Sequence, residues 1–259
     1  MIALESVTIG VAGRLLVRAI DARVEEGEFL AVLGPNGVGK TTLLRAICGI
    51  VPVASGHIEL DGVALRGLSP SARARAIAFV TSDDAMLESL RVRDVVAIGR
   101  FAHHSWWAWN ETPRDDEAIE SALRAVHLEG EEQRLFATLS SGERQRVWIA
   151  MGLAQETPVL LLDEPTSHLD VRVAHEILAL LRGLARERRT ILCVLHDLND
   201  AAAYADRLML LGRGEMLACD IPERVLTPEL VERAYGIAVE RIDTPHGPRV
   251  FAATASASS

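Results

Sequence analysis

Residues 34–41 read Gly34-Pro35-Asn36-Gly37-Val38-Gly39-Lys40-Thr41, the G-x-x-x-x-G-K-[ST] pattern of a phosphate-binding loop. An apolar strand, Phe29–Leu33, is predicted before the loop, and a helix over residues 40–50 after it. The glycines allow backbone amides to curl around phosphate oxygens, and the helix N-terminus adds its dipole. We expect nucleotide contacts from the loop and the residue after it: Gly34, Pro35, Asn36, Gly37, Val38, Gly39, Lys40, Thr41 and Thr42.

The basic residues point to the same loop. Lys40 is the only lysine among 27 lysine and arginine residues, so the remaining 26 are arginines. Arginine cannot replace lysine where a compact ammonium must reach a phosphate through a tight loop. We therefore predict that Lys40 contacts the β- and γ-phosphates and that the Thr41 hydroxyl binds Mg²⁺.

The amino-acid composition excludes several classes of protein. The chain has 259 residues, of which 49% are hydrophobic and 24% charged, enough for one large globular domain or two small ones. That apolar content excludes a wholly disordered chain. Apolar runs such as residues 159–162 are far shorter than the ~20 residues of a membrane-spanning helix. The net charge of −9 argues against a nucleic-acid partner.

Two further sequence features carry expectations about the compartment. The stretch 1–5 lacks a basic region followed by an apolar one, so no secretory signal is expected. Cys48, Cys193 and Cys219 are odd in number and lie in apolar surroundings. We expect them to be small buried hydrophobic residues in a reducing compartment, without the spacing of a zinc site.

The pattern of apolar residues divides the chain into three parts. Strands are predicted at 3–9, 15–24, 29–33, 56–60 and 77–81, with a short helix at 69–75. From about residue 83 the spacing of apolar residues becomes that of helices, with predicted helices at 92–100, 113–126 and 142–155. Strands and helices alternate again at 159–163, 173–186, 190–195 and 198–204, and two strands follow near 239–242 and 249–251.

This alternation predicts an α/β fold. We expect a P-loop NTPase core: a mostly parallel sheet with helices on both faces, N-terminal antiparallel strands and an inserted helical subdomain. The predicted division is 1–82 for the first part of the nucleotide-binding core, 83–157 for the helical subdomain, and 158–259 for the second part of the core with a C-terminal extension.

Polar residues follow two of the predicted buried strands. The apolar strand 159–163 ends at Asp163 and Glu164, and the strand 190–195 is followed by His196. Ligands of open α/β sheets bind at the carboxyl ends of parallel strands. We predict that Asp163 completes the Mg²⁺ shell, that Glu164 activates a water for attack on the γ-phosphate, and that His196 senses that phosphate. The predicted catalytic residues are therefore Glu164, His196 and Lys40.

The order of these segments resembles one family. Between the phosphate loop and the Asp163–Glu164 pair lies Leu139-Ser140-Ser141-Gly142-Glu143, and Ser167-His168-Leu169-Asp170 follows the pair. Together they closely resemble the ATP-binding subunit of an ABC transporter, over about residues 4–245. The stretches 194–199 and 227–236 look like the branch that powers import of ferric siderophores, haem and cobalamin.

The resemblance implies an assembly. In that family two subunits dimerise head to tail, so Ser140, Ser141 and Gly142 would contact ATP held by the partner copy, and Asp170 would communicate across the dimer. The implied partners are integral-membrane permease subunits and, indirectly, a periplasmic solute-binding protein. The subunit would lie peripherally on the cytoplasmic face of the inner membrane. The transported solute contacts the permease, so this sequence does not name it.

Three positions depart from the family pattern. Val11 stands where an aromatic residue usually stacks on adenine. Ser82 stands where a glutamine usually contacts Mg²⁺, and its side chain is too short for direct contact, so we expect a bridging water. Ser141 replaces a signature glycine. These departures keep an alternative open, a degenerate, non-hydrolytic ATP-binding regulatory ABC module. The presence of Glu164, which such a module does not need, argues for hydrolysis.

A tryptophan-rich segment completes the sequence features. Trp106, Trp107 and Trp109 follow His103 and His104 between two predicted helices. Clustered aromatic residues on a loop are typical of an interface, but local core packing explains them equally well. A metal site at the adjacent histidines is not expected, since neighbouring loop histidines rarely converge without further ligands.

Overall fold

The computed structural model describes residues 1–11, 13–81, 87–104, 112–245 and 247–253. Its strands are β1 Ile2–Val11, β2 Arg14–Val24, β3 Phe29–Leu33, β4 Ser55–Leu60, β5 Val63–Ala64, β6 Ile77–Val80, β7 Val159–Asp163, β8 Thr190–Val194, β9 Arg207–Gly212, β10 Glu215–Asp220, β11 Val239–Thr244 and β12 Gly247–Ala252. Its helices are α1 Lys40–Ile47, α2 Pro70–Ala76, α3 Val92–Ala97, α4 Pro113–Ala125, α5 Ser141–Ala154, α6 Val171–Arg186, α7 Leu198–Tyr204, α8 Pro222–Val225 and α9 Pro228–Tyr235.

The described strands β1 to β10 form one sheet in the order β5-β4-β1-β2-β10-β9-β3-β8-β7-β6. From β9 to β6 all neighbours are parallel. The strands β1, β2, β4 and β5 pair antiparallel with one another, as does β10 with β9. The predicted α/β fold with N-terminal antiparallel strands is confirmed, and the antiparallel pair β9–β10 adds to it.

The central strands are buried on both faces because their apolar side chains alternate between two cores. In β3, Phe29, Ala31 and Leu33 pack into one core, whereas Leu30 and Val32 pack into the other. The first core also holds residues of α5, α6 and α7, and the second those of α1. A strand covered on both sides reads as a continuous apolar run, which explains the pattern in the sequence.

The predicted helical segment contains α3, α4 and α5, which pack on one another through Val95, Ile119, Val147 and other apolar residues. The helix α5 also lies close to the sheet, where a Cβ at Gly152 would lie 2.6 Å from a methyl of Val80 in β6. Arg100, in the turn after α3, and Asp115, in the first turn of α4, form a buried ion pair of 2.8 Å, and each side chain is only 2% exposed. The division of the chain at 83 and 157 remains a prediction.

Two helix ends differ from the prediction, and each is followed by a glycine in a special environment. The first helix ends at Ile47, before the predicted residue 50, because Gly49 adopts a left-handed φ of 71° that no helix continues. After Ala97 the chain continues as a 3₁₀ turn, in which Gly99 approaches the Met151 carbonyl too closely for any side chain. Ser69 caps α2 by accepting from the Ala72 amide.

The remaining sequence predictions have mixed outcomes. The three cysteines are free, and Cys193 is buried, whereas Cys48 and Cys219 are only partly so. Within the described ranges, no three His, Cys, Asp or Glu side chains converge as metal ligands, and no helix is long and apolar enough to cross a bilayer. The predictions for Ser82 and for Trp106, Trp107 and Trp109 concern residues outside the described ranges.

Candidate active site

The predicted site residues meet at one edge of the sheet. The strands β3, β8 and β7 are parallel neighbours, in that order, so their carboxyl ends lie side by side. The phosphate loop follows β3, His196 lies two residues after the end of β8, and β7 ends at Asp163, with Glu164 next. Residues more than a hundred positions apart in sequence are thereby brought together.

The phosphate loop presents an open helix end. Gly39 precedes α1 with a φ of 115°, and no side chain caps the first turn of this helix. By contrast, α2, α4, α5, α6, α7 and α9 are each capped by a side chain of their own. Within the described residues, the amides of Gly37 and Gly39 donate to no protein group. Uncapped amides at a helix N-terminus fit an anionic ligand.

Lys40 lies under this loop and is only 5% exposed. Its Nζ donates hydrogen bonds to the carbonyl oxygens of Gly34, at 2.7 Å, and Pro35, at 3.2 Å. Burial lowers the pKa of Lys40, while the charges of Glu164 and Asp163 oppose that shift. An ammonium has three N–H donors, so one remains for a phosphate oxygen.

Thr41 and Asp163 form the second contact of the site. The Thr41 hydroxyl donates a hydrogen bond of 2.9 Å to Asp163 Oδ1. Burial raises the pKa of Asp163, and this Thr41 hydrogen bond counteracts the rise. A hydroxyl and a carboxylate are the hard oxygen ligands that Mg²⁺ prefers, so the pair fits the predicted metal.

Glu164 and His196 form the third contact. His196 Nε2 lies 2.7 Å from Glu164 Oε1, with both side chains partly open to solvent. The Ser167 hydroxyl approaches the other carboxylate oxygen at 3.3 Å. Glu164 has a left-handed φ of 53°, a conformation that costs energy in a residue with a side chain. This backbone turns the carboxylate toward a cleft where it can act on a ligand.

The cleft has a volume of about 380 Å³ and is lined by Leu16, Asn36, Gly37, Gly39, Lys40, Thr41, Thr42, Glu164 and His196. Eight of these nine were predicted as site residues. Three other predicted loop residues lie elsewhere: Pro35 and Val38 line a neighbouring cleft, and Gly34 lies against the Leu211 carbonyl. Val38 also packs into the core.

The predicted partner-facing residues lie in a different place. Ser140 caps α5 by accepting from the Glu143 amide, and Glu143 accepts from the Ser140 amide and hydroxyl in return. Ser140 is thus the cap, and α5 begins at Ser141, one residue before the predicted start at residue 142. Ser141 lines a separate cleft with Ser167 and His168. That cleft shares no lining residue with the phosphate cleft. Within one chain, the predicted partner-facing residues and the phosphate-binding residues therefore lie apart.

Gly142 is held in place by packing. A Cβ on this residue would lie 2.6 Å from Cγ1 of Val173, in the first turn of α6. The N-terminal ends of α5 and α6 therefore approach closely only because residue 142 has no side chain.

Sequence reasoning missed three residues near the site. Leu16 lines the phosphate cleft from β2, Ser167 contacts Glu164, and the Tyr235 hydroxyl lies beside the backbone of Gly34. Ser167 follows Glu164 by three residues, a spacing typical of a turn, which was a usable signal. Nothing local in the sequence links Leu16 or Tyr235 to the loop.

Comparison with known proteins gives consistent matches. A family model described as ABC transporter matches residues 17–167. The ferric enterobactin transport ATP-binding protein of Escherichia coli (strain K12) is 38% identical over 243 residues, covering 93% of this chain and 89% of that protein. The hemin import ATP-binding protein of Deinococcus radiodurans is 43% identical over 231 residues, covering 87% and 86%.

Solved structures agree with these matches. A metal-chelate type ABC transporter in an inward-facing conformation has a TM-score of 0.84 at 25% identity, covering 98% of both chains. A dimeric bacterial ABC transporter cassette has a TM-score of 0.73 at 26% identity, covering 86% of this chain and 99% of that one. The predicted resemblance is confirmed: this chain belongs to the ABC transporter family, as one of its ATP-binding subunits.

Proposed function

We propose that this chain is the ATP-hydrolysing subunit of an importer for an iron chelate, haem or a cobalamin-like solute. The observation that carries the proposal is the convergence of Lys40, Thr41, Glu164 and His196 on one cleft beside an uncapped helix end, with Asp163 bonded to Thr41. This cleft offers an anion site, two oxygen ligands and a base in adjacent positions.

In this proposal the loop binds the phosphates. The amides of Gly37 and Gly39 and the start of α1 donate to phosphate oxygens, and the remaining Lys40 N–H adds a charged contact. Mg²⁺, when bound to Thr41 and Asp163, would supply positive charge against the β- and γ-phosphate oxygens.

The hydrolytic step needs a base near the γ-phosphate. Glu164 orients a water and accepts its proton, while the water oxygen bonds to the γ-phosphorus and the bond to the bridging oxygen of ADP breaks. His196, whose Nε2 lies 2.7 Å from Glu164 Oε1 in the ligand-free site, holds the carboxylate there and would donate to a γ-phosphate oxygen once ATP is bound. The products are ADP and inorganic phosphate.

The second copy of the chain completes the site in this proposal. Ser140, Ser141 and Gly142 lie outside the phosphate cleft of their own chain, which supports contact with ATP in a head-to-tail homodimer. The N-terminus of α5 would face the phosphate held by the partner copy. Asp170, the cap of α6, would lie at the same interface.

The solute class and location rest on relatives. The similar proteins are named for transport of ferric enterobactin and import of hemin. By analogy, this subunit would bind permease subunits on the cytoplasmic face of the inner membrane, and a periplasmic solute-binding protein would deliver the solute. The regulatory, non-hydrolytic alternative is not favoured by any observation, since both Glu164 and His196 are in place.

The test is ATP turnover by the purified protein in the presence of Mg²⁺. We expect steady hydrolysis in the wild type and its loss in Glu164→Gln, which keeps the shape of the side chain but cannot accept a proton. Glu117→Gln, an exposed glutamate on α4, is the matched control and should behave as wild type. Glu164→Gln should also accumulate an ATP-bound dimer, visible by size-exclusion chromatography. Absence of turnover in the wild type would overturn the proposal.

A further inference from the structure

The C-terminal extension, residues 222–253 without 246, is packed as part of the main domain. It contains α8, α9 and the hairpin of β11 and β12. Its buried side chains Val225, Leu226, Val231, Ala234 and Val250 belong to the same core as the central strands. Because the extension is part of the core, it can fix the position of the elements that it contacts, which a loosely attached tail could not do.

One contact of the extension is made with α7, which follows His196. The side chain of Asn199, in the first turn of α7, bonds both backbone groups of Val250: Nδ2 donates to the carbonyl at 3.2 Å, and Oδ1 accepts from the amide at 2.9 Å. Arg249 adds a bond of 2.6 Å to the Asn199 carbonyl. Asn199 thus ties the start of α7, three residues after His196, to strand β12.

The other contact is made with the phosphate loop. Tyr235, the last residue of α9, places its hydroxyl beside the backbone amide of Gly34. Burial raises the pKa of Tyr235 to about 12, and that amide counteracts the rise, so the hydroxyl stays protonated at neutral pH. The contact falls short of a well-formed hydrogen bond, and the hydroxyl has no other partner among the described residues.

The backbone segments around this contact are closely packed. A Cβ at Gly212, the end of β9, would lie 3.0 Å from Cα of Ala234. A Cβ at Gly34 would lie 2.4 Å from the Leu211 carbonyl oxygen. The end of α9, the end of β9 and the start of the phosphate loop are therefore packed against one another, and a shift of α9 moves Gly34.

We propose that the C-terminal extension is a clamp that sets the spacing between the phosphate loop and the segment that carries His196, between β8 and α7, with Tyr235 and Asn199 as positioning residues. The inference rests on the proposed ATPase function. It also accounts for two stretches that the sequence singles out, residues 194–199 and 227–236, because each stretch contains one end of the clamp.

The two ends have separable effects. Tyr235 acts on the loop that binds phosphates, so its hydroxyl should affect nucleotide affinity. Asn199 acts on the segment that carries His196, so its side chain should affect the hydrolytic step. If either side chain had only a structural role, its replacement would lower the melting temperature, and nucleotide affinity and the rate of hydrolysis would fall together.

The first experiment compares Tyr235→Phe with Tyr204→Phe. These are the two tyrosines of the chain, and the Tyr204 hydroxyl bonds His175 at 3.0 Å, away from the loop. Affinity for a fluorescent, non-hydrolysable ATP analogue with Mg²⁺ is measured for the full-length protein. We expect about a 2-fold weaker Kd in Tyr235→Phe, the lower end of the range of one hydrogen bond because the contact with Gly34 is not well formed, with an unchanged melting temperature and a wild-type Kd in Tyr204→Phe.

The second experiment measures turnover of Asn199→Ala and Asn199→Asp. We expect a severalfold lower kcat with an unchanged KM in Asn199→Ala. Asn199→Asp, which keeps the acceptor for the Val250 amide, should recover part of the rate. The proposal is wrong if both ends leave Kd, KM and kcat as in the wild type, or if kcat and KM change only in step with the melting temperature. The Kd measurement of the first experiment remains decisive even if the wild type proves unable to hydrolyse ATP.

Discussion

The ammonium of Lys40 lies 2.7 Å from the carbonyl oxygen of Gly34, the residue that opens the same loop. The lysine thus closes the loop on itself and stabilises the curl that presents its amides. The only lysine of the chain is therefore a structural part of this loop, and in the proposed function it also donates to a phosphate oxygen.

Replacement of Lys40 by arginine should leave the fold intact and abolish most ATP binding. The guanidinium is planar and larger than an ammonium, and residue 40 is only 5% exposed, so the loop cannot close around it. Nucleotide affinity and the melting temperature measure the two effects separately. Arg124→Lys, the reverse exchange at an exposed site, should change neither. Wild-type turnover in Lys40→Arg would contradict the prediction.

Asp163→Asn should stabilise the ligand-free protein at neutral pH while abolishing hydrolysis. Because burial raises the pKa of Asp163, the folded state resists its ionisation. As pH rises from the unfolded value of about 3.9 through the higher folded value, stability is lost, and the loss persists at neutral pH. The asparagine avoids this loss and can still accept from Thr41.

The check is the melting temperature of both proteins between pH 3.5 and 8. The variant should melt higher than the wild type at pH 7, and the difference should shrink toward zero near pH 3.5. A lower melting temperature of the variant at pH 7 would mean that the ionised carboxylate is stabilising, contrary to this prediction.

Gly142→Ala should destabilise the protein by about 1–3 kcal/mol, the usual cost of overpacking. The added methyl would meet Val173 Cγ1 at 2.6 Å, and a β-branched side chain cannot rotate away freely. Val173→Ala should relieve the clash, so the double variant should be more stable than the sum of the single changes predicts. Denaturant unfolding of the four proteins tests this. Strict additivity would show that the helices separate instead.

Arg100→Met should cost about 3–5 kcal/mol, because it leaves the buried Asp115 carboxylate without its main partner. Burial alone would raise the pKa of Asp115, but hydrogen bonds from Arg100, Thr112 and His104 overcome it and hold the pKa well below its usual range. Such a carboxylate stabilises the protein above its unfolded pKa of about 3.9, and the stabilisation is lost as pH falls.

Denaturant unfolding at several pH values measures this loss. The difference between wild type and Arg100→Met should be largest near neutral pH and should narrow below pH 4. Arg114→Met provides the control, since Arg114 is exposed and its ion pair with Glu156 spans 3.5 Å, a type of pair worth little. An equal loss in both variants would refute the special role of the buried pair.

Much of the site followed from local sequence rules. The phosphate loop is a continuous motif between a strand and a helix, and the pair Asp163–Glu164 ends a run of apolar residues. Each signal depends on neighbours within a few positions, such as glycine in left-handed backbone or apolar runs buried on two faces. For the same reason the predicted start of α5, residue 142, is one position late, since Ser140 and Ser141 are equally good capping residues.

The contacts between distant segments could not be read in this way. Sequence motifs set Glu164 and His196 at the ends of two strands, but the strand order β3-β8-β7 brings them within 2.7 Å. Likewise, the fit of Gly142 against Val173 and of Tyr235 against Gly34 depends on how helices pack on the sheet. Local propensity determines which residues turn, cap or bury, because these depend on neighbouring backbone and side chains. Distances across the sheet depend on which strands pair and how closely their faces pack, and the whole chain must fold before those distances exist.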